Sequence, residues 1–288
     1  MQHILRVKNC DVDLRTGYAT YCDNKMKDSE YMQMYSADIF ASYIRCSNVH
    51  YKGIDFNTDY IEQYIESLVG KSQIEKFHRI LSYMILKDKS ECKTLHIYGN
   101  GCNGKDTFIN LLKNVCGDSF IEIPDSSIYI TNRNDIMFSK RVHARIAVCR
   151  EINQNNSNEL SYNKIARLAS NTPIPYRDLY QVHDVNRVGI HANIITTGNV
   201  VISQLPDTNF NKRKPELKII QIEFIKQLQG KYDPFYYDKI KKYSDQLLVW
   251  LVKGVMKYNK NIYYVVRIQR WFRSFYKYDV GTELVINI

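Results

Sequence analysis

The stretch "HIYGNGCNGKDTFINLL", residues 96–112, decides how the rest of the chain is read. An apolar run ends at Tyr98, a glycine-rich turn follows, and a helix-forming segment starts near Lys105. Such a turn suits phosphate. Glycines let backbone N–H groups close around anionic oxygens without Cβ clashes, a helix N-terminus faces the negative charge, and a lysine bridges the terminal phosphates. Gly99, Gly104 and Lys105 keep the G-x-x-x-x-G-K spacing, with Asn100, Gly101, Cys102 and Asn103 filling the turn. One position departs from the pattern. Ser or Thr ordinarily follows the lysine and holds magnesium, and here Asp106 stands there, followed by Thr107. A carboxylate is a hard oxygen donor and can itself ligate Mg2+, while an acid in the first turn of a helix is also favoured by the helix dipole alone. Thr107 lies about 100° further around the helix and is a poor direct substitute. A second Gly-Lys-Ser, at Gly70, Lys71 and Ser72, has Ile65 where the first glycine belongs and no strand before it, so it is a chance match.

Outward from the turn, β-rich runs recur at 94–99, 145–151, 191–199 and 217–224, separated by long polar or helical segments. Strands too widely spaced for hairpins and joined through helices imply a buried parallel sheet. Residues 1–90 carry helical periodicity at 60–69 and 74–86, and helices are expected again at 236–258 and 262–277. The layout is a helical N-terminal segment over 1–90, a candidate oligomerisation element, then an α/β core over 91–225 and a helical C-terminal segment over 226–288. No internal repeat is visible, and "NQNNSN" at 153–158 reads as a loop.

Composition narrows the setting. With 40 Lys and Arg against 30 Asp and Glu, the 288-residue chain has a formal net charge of +10. That excess favours an anionic partner, nucleic acid being the commonest large one. The seven cysteines are scattered, with no Cys-x-x-Cys and no histidines clustered beside them, so neither a zinc site nor a disulfide framework is indicated. The first residues break every apolar run with a charge, unlike a secretory signal. The longest apolar block, "LLVWLV" at 247–252, falls far short of the ~20 residues that cross a bilayer. These features point to a soluble, intracellular protein with no membrane partner.

The segment "YGNGCNGKDTFINLLKNVCGD" resembles the phosphate loop of superfamily 3 helicases, with Asn103 before Gly104 and Lys105 as that group has it. "ARIAVCREINQ" (144–154) is similar to their second motif, and "YNKIARLASNTPIPYRDLY" (162–180) to the segment that follows it. "ANIITTGNVV" (192–201) is similar to their third motif, "NKRKPELKIIQIEF" (211–224) to the basic cluster and strand closing the core, and "LLVWLVKGVMKYNK" (247–260) to a Trp-containing helix of phage and poxvirus-type primase-helicases. The match covers about 90–260 in the same order.

The resemblance implies an AAA-like P-loop NTPase core with a parallel sheet, flanked by helical segments. It implies an ATP-dependent DNA helicase or translocase of viral or plasmid replication, with ATP and Mg2+ as cofactors and a homo-hexameric ring around single-stranded or forked DNA. A separate primase or polymerase is an implied partner, because residues 1–90 have neither the length nor the acidic motifs of a primase domain. The host cytoplasm is the expected location, with the nucleus also open. In this reading Gly99 through Thr107 bind the nucleotide, with Lys105 catalytic, and Asp106 and Glu151 hold the metal. Glu151 also polarises the attacking water, Asn199 or else Thr197 senses the γ-phosphate, and Arg213 reaches a neighbouring subunit's ATP, with Arg177 at the same interface. Two departures stand beside Asp106: Arg150 occupies the place of an acid paired with Glu151, and Ser170, Asn171 and Thr172 replace a Gly-Gly-Asp-like turn. They motivate the alternative of a catalytically weakened nucleic-acid-binding or scaffold paralogue, and a small-molecule kinase on the same loop is a third. The tail at 265–279 interleaves Arg267, Arg270, Arg273 and Lys277 with Trp271, Phe272 and Phe275. It reads as an amphipathic helix packed on the core, a DNA-binding element or a calmodulin-type target helix.

Overall fold

The computed structural model describes residues 4–20, 47, 49–86, 93–123, 144–152, 165, 169, 174–176, 186–188, 192–202, 218–226 and 233–258. At its centre, five strands run parallel in the order β10-β4-β9-β6-β5: β4 (Lys93–Tyr98), β5 (Phe120–Ile123), β6 (Ile146–Ile152), β9 (Asn193–Gly198) and β10 (Lys218–Glu223). Leu95, Ile97, Ile146, Val148, Ile194 and Ile195 are all buried. Strands covered on both faces by helices read as continuous apolar runs rather than alternating ones, which is why these segments stand out in the sequence. The four expected strands are all present within a residue or two of the expected ends, and β5 is an addition.

The chain leaves β4 for β5 at one edge, works back through β6 to β9 beside β4, and crosses to β10 on the other side. A sheet that reverses its strand order opens a crevice at the carboxyl ends of the strands flanking the reversal. Those ends are Gly99 after β4, Asn199 after β9 and Phe224 after β10.

Helices α1 (Asp59–Val69) and α2 (Ile74–Ile85) bury Ile61, Tyr64, Ile65, Leu68 and Val69, and Phe77, Ile80, Leu81, Met84 and Ile85, each a stripe at three- and four-residue steps. Helix α3 (Lys105–Cys116) follows the glycine turn. The expected helix over 236–258 is two, α4 (Tyr236–Lys241) and α5 (Ser244–Tyr258). At the break, the Ser244 hydroxyl donates to the Lys241 carbonyl at 2.6 Å and accepts from Asn114 Nδ2 at 2.9 Å. α5 is buried over most of its circumference and packs on α1, α2 and α3.

Residues 4–20, inside the segment expected to be helical, instead form an antiparallel meander of β1 (Ile4–Arg6), β2 (Asp11–Asp13) and β3 (Tyr18–Thr20). Leu5 and Val12 bury while their neighbours stay half-exposed, a period of two too short to register against the helical pattern that follows. A further antiparallel pair joins β7 (Ile174–Tyr176) and β8 (Asn186–Val188). One apolar cluster links the meander, α1, α2, α3, α5 and the sheet, so shared core runs across positions 90 and 225. Among the described residues no helix is long and apolar enough to cross a membrane. The expected helix at 262–277 and the segments 153–158 and 170–172 lie outside the described residues.

Candidate functional site

The turn after β4 is built around Asn103 and Lys105, both almost wholly buried. Asn103 Nδ2 donates to the Phe224 carbonyl at 3.0 Å, tying the turn to the chain leaving β10, and Asn103 Oδ1 accepts from Lys105 Nζ at 3.0 Å. The same ammonium donates to the Gly99 carbonyl at 2.7 Å and to Asn199 Oδ1 at 3.3 Å. Burial lowers the Lys105 pKa from its usual value, and the neighbouring Asp106 opposes that shift. Gly99 has φ +150°, and a Cβ there would lie 2.2 Å from Asn103 Nδ2 and 2.5 Å from the Phe224 carbonyl oxygen. Only glycine lets the three segments meet this closely. Gly104 caps α3 in the left-handed region at φ +87°, while Asn100, Gly101, Cys102 and Asp106 are exposed along the rim.

Asn199 is brought to Lys105 by a histidine that the sequence reading passed over. His96, buried in β4, donates from Nε2 to the Val200 carbonyl at 2.9 Å, and its Nδ1 lies 2.9 Å from Thr196 Oγ1. Burial lowers the His96 pKa; the Val200 hydrogen bond opposes the shift and the Lys105 charge adds to it. The ring thus fixes the exit of β9, where Asn199 sits. A polar residue inside an apolar strand was the available signal.

Glu151 is exposed, and it is one of two non-glycine residues with positive φ among those described, at +57°. It lies where the register of β6 against β9 shifts between Cys149 and Ile152, and its backbone N–H donates to Thr197 Oγ1 at 3.3 Å. A bulge of this kind re-aims a side chain at a strand end. Thr197 is buried and engaged there. Arg213 and Arg177 lie outside the described residues.

The two residues expected to hold magnesium are differently placed. Arg150 Nη1 donates to Asp106 Oδ1 at 3.1 Å, and its Nη2 donates to Asn110 Oδ1 at 2.8 Å and Glu122 Oε1 at 3.2 Å. Lys113 completes the cluster by donating to Glu122 at 3.0 Å. Burial raises the Glu122 pKa, but Lys113 and Arg150 outweigh it and the net shift is downward. The side chain facing Asp106 is therefore a cation. Among the described residues no three Asp, Glu, His or Cys side chains gather as an all-protein metal cage, and Mg2+ at a phosphate site needs only one or two carboxylates beside phosphates and water. At Asp106 Oδ1 the guanidinium already stands where a cation would sit.

Neither a protein-family model nor a curated protein sequence matches the chain. Among solved structures, it is similar to the apo C-terminal region of NrS-1 at a TM-score of 0.51 and 12% identity, over 91% of this chain and 71% of that one. The A form of that region aligns at a TM-score of 0.47 and 12% identity, over 69% of this chain and 47% of that one. JCV helicase aligns at 0.34 and 11% identity, over 76% and 60%. The likeness is one of fold. In the A form alignment the chain spans about half the length of its counterpart. The sheet and its flanking helices are consistent with an α/β fold of the NTPase kind.

Proposed function

We propose that this chain is the nucleotide-binding core of a helicase-like ATPase acting on single-stranded or forked DNA in the replication of a viral or plasmid genome. The observation that carries the reading is the convergence of Gly99, Asn103, Lys105 and Asn199 at the carboxyl ends of β4 and β9, where the strand order reverses. Small ligands of open α/β sheets bind at that place. A triphosphate there would take the backbone amides of the turn and the N-terminus of α3, and the Lys105 ammonium would exchange its three oxygen partners for phosphate oxygens. Asn199, steadied by His96, would meet the terminal phosphate, and Glu151 would orient the attacking water. Arg213 would reach the site from a neighbouring subunit of a hexameric ring, stabilising charge that develops in phosphoryl transfer. The net charge of +10 suits the backbone of a threaded strand.

Titration with a fluorescent ATP analogue tests the reading. Lys105→Ala should weaken binding by about 100-fold or more, on the order of 3 kcal/mol. A variant that binds as well as the wild type ends the proposal. Particle size with and without ATP reports on the ring.

A second reading is favoured by one contact, the ion pair of Asp106 with Arg150. It describes a chain that binds nucleotide and DNA while turning nucleotide over slowly. An ATPase assay with and without single-stranded DNA separates the two: stimulation selects the motor, and binding without turnover selects the scaffold.

A further inference from the structure

Phosphate loops of this kind hold their metal between two protein groups, the residue after the lysine and an acid ending a nearby strand. In this chain those two places are Asp106 and Arg150, which stands where an acid paired with Glu151 is expected at the end of β6, while Glu151, the other metal ligand that the resemblance implies, stays exposed beside it. Both places have changed chemistry, and in opposite senses. The hydroxyl has become an anion and the acid has become a cation, and the two touch at 3.1 Å. A metal that would bridge a hydroxyl and a carboxylate is replaced by a direct ion pair.

We infer that nucleotide binding at this site is independent of divalent metal, the Arg150 guanidinium standing in the cation's place; the inference rests on the nucleotide-binding reading above. Three groups hold the guanidinium there: Asp106 on one arm, Asn110 and Glu122 on the other. Asp106 alone would be a weak tether, since its side chain is 71% exposed and exposed pairs contribute at most about 1 kcal/mol. The second arm makes the position firm. Arg150 is only 25% exposed, between α3 and β5, and a guanidinium fork suits two acceptors at once. A metal binding at Asp106 Oδ1 must displace a cation anchored by two other partners.

Formal charge gives the consequence. Without its ion, a hydroxyl and carboxylate pair presents one negative charge to the phosphates, whereas Asp106 with Arg150 presents none. The site therefore takes the free nucleoside polyphosphate, with Lys105 and the amides of the turn supplying the positive field, and it lacks the ion that polarises a departing phosphate.

The experiment is a titration of the full chain with N-methylanthraniloyl-ATP in excess Mg2+ and in excess EDTA. The expected dissociation constants agree within about threefold, under 1 kcal/mol. A loss of about tenfold or more in EDTA, restored by Mg2+, overturns the inference while leaving nucleotide binding intact. No saturable signal in either buffer overturns the underlying reading instead. The double variant Asp106→Ser with Arg150→Asp restores the ordinary pair, and it should need Mg2+ for binding, losing about tenfold in EDTA. Equal binding in both buffers would show that these residues do not flank the cation position, and so would sink the inference. The milder Arg150→Gln keeps a polar side chain but removes the charge, leaving Asp106 unopposed beside the phosphates. Its binding should weaken in EDTA and recover partly with Mg2+; unchanged affinity in EDTA overturns the role given to the guanidinium.

Discussion

Glu151 holds a left-handed backbone conformation, φ +57°, that costs an L-residue with a Cβ about 1–2 kcal/mol. Strain of this kind persists where surrounding structure over-determines it, and it collects at functional sites. Here the register shift in β6 and the hydrogen bond from the Glu151 amide to Thr197 impose it. Glu151→Gly should therefore stabilise the fold by about 1 kcal/mol in urea unfolding while lowering any ATP turnover. A variant less stable than the wild type would show that nothing is stored at that position. The glycine spacing and Lys105 were legible as residues. The role of Asn103 was legible only in part: its place before Gly104 is visible in the chain, but its partner Phe224 is 121 residues away.

At the scale of elements, α5 packs closely against α2. Gly254 sits where a Cβ would lie 2.0 Å from Ser82 Oγ and 2.4 Å from His78 Nε2. Glycine-to-alanine inside a helix ordinarily gains up to ~1 kcal/mol, whereas overpacking a filled core costs about 1–3 kcal/mol. Both side chains are held in place by hydrogen bonds, Ser82 to the His78 and Leu251 carbonyls and His78 to the Trp250 carbonyl, so Gly254→Ala should destabilise by roughly 2 kcal/mol, and a stabilised variant would contradict this packing. His78 in the same interface stacks on Trp250 with ring centroids 3.7 Å apart and donates from Nε2 to the Trp250 carbonyl at 2.7 Å.

Burial pushes the His78 pKa down to about 4, against the Trp250 hydrogen bond and the Glu75 charge and with the Lys257 charge. An unfolded histidine titrates near 6.5, so between those values the unfolded chain binds a proton that the folded chain does not. The stabilisation is complete above about pH 6.5 and is lost as pH falls toward 4, with roughly 2 kcal/mol gone between pH 7 and pH 5. Urea unfolding at the two pH values measures it. His96 shifts in the same direction, so His78→Asn should flatten the dependence only in part. A slope identical to the wild type would assign the effect elsewhere.

Across the whole molecule, Arg145 joins elements far apart in the chain. It begins the segment entering β6, is buried, and donates to the Ile85 carbonyl at the end of α2 and to the Ile4 carbonyl in β1. Burial lowers its pKa to about 10, and burial raises that of neighbouring Cys116 to about 12. Arg145→Met keeps much of the volume but strips acceptors of their donor. Each buried group left unpaired costs about 1–3 kcal/mol, so the loss should be roughly 3 kcal/mol, with residues 4–20 the first released in limited proteolysis. Unchanged protection of that segment would mean that the meander is held by its apolar contacts alone.

By itself the sequence determined the parallel core, the glycine turn with its lysine, and helices α1, α2 and α3. Those features are written in local terms: continuous apolar runs, three- and four-residue steps, and residue types fitted to a tight turn. The N-terminal meander escaped because strands of three residues carry too little periodicity to be separated from a helical pattern. Tertiary structure alone decided what Asp106 faces. From the chain it reads equally as a metal ligand or a helix-dipole partner, and its neighbours in sequence cannot choose between them. Its partner is Arg150, 44 residues away, because only the folded sheet brings β6 beside the first turn of α3.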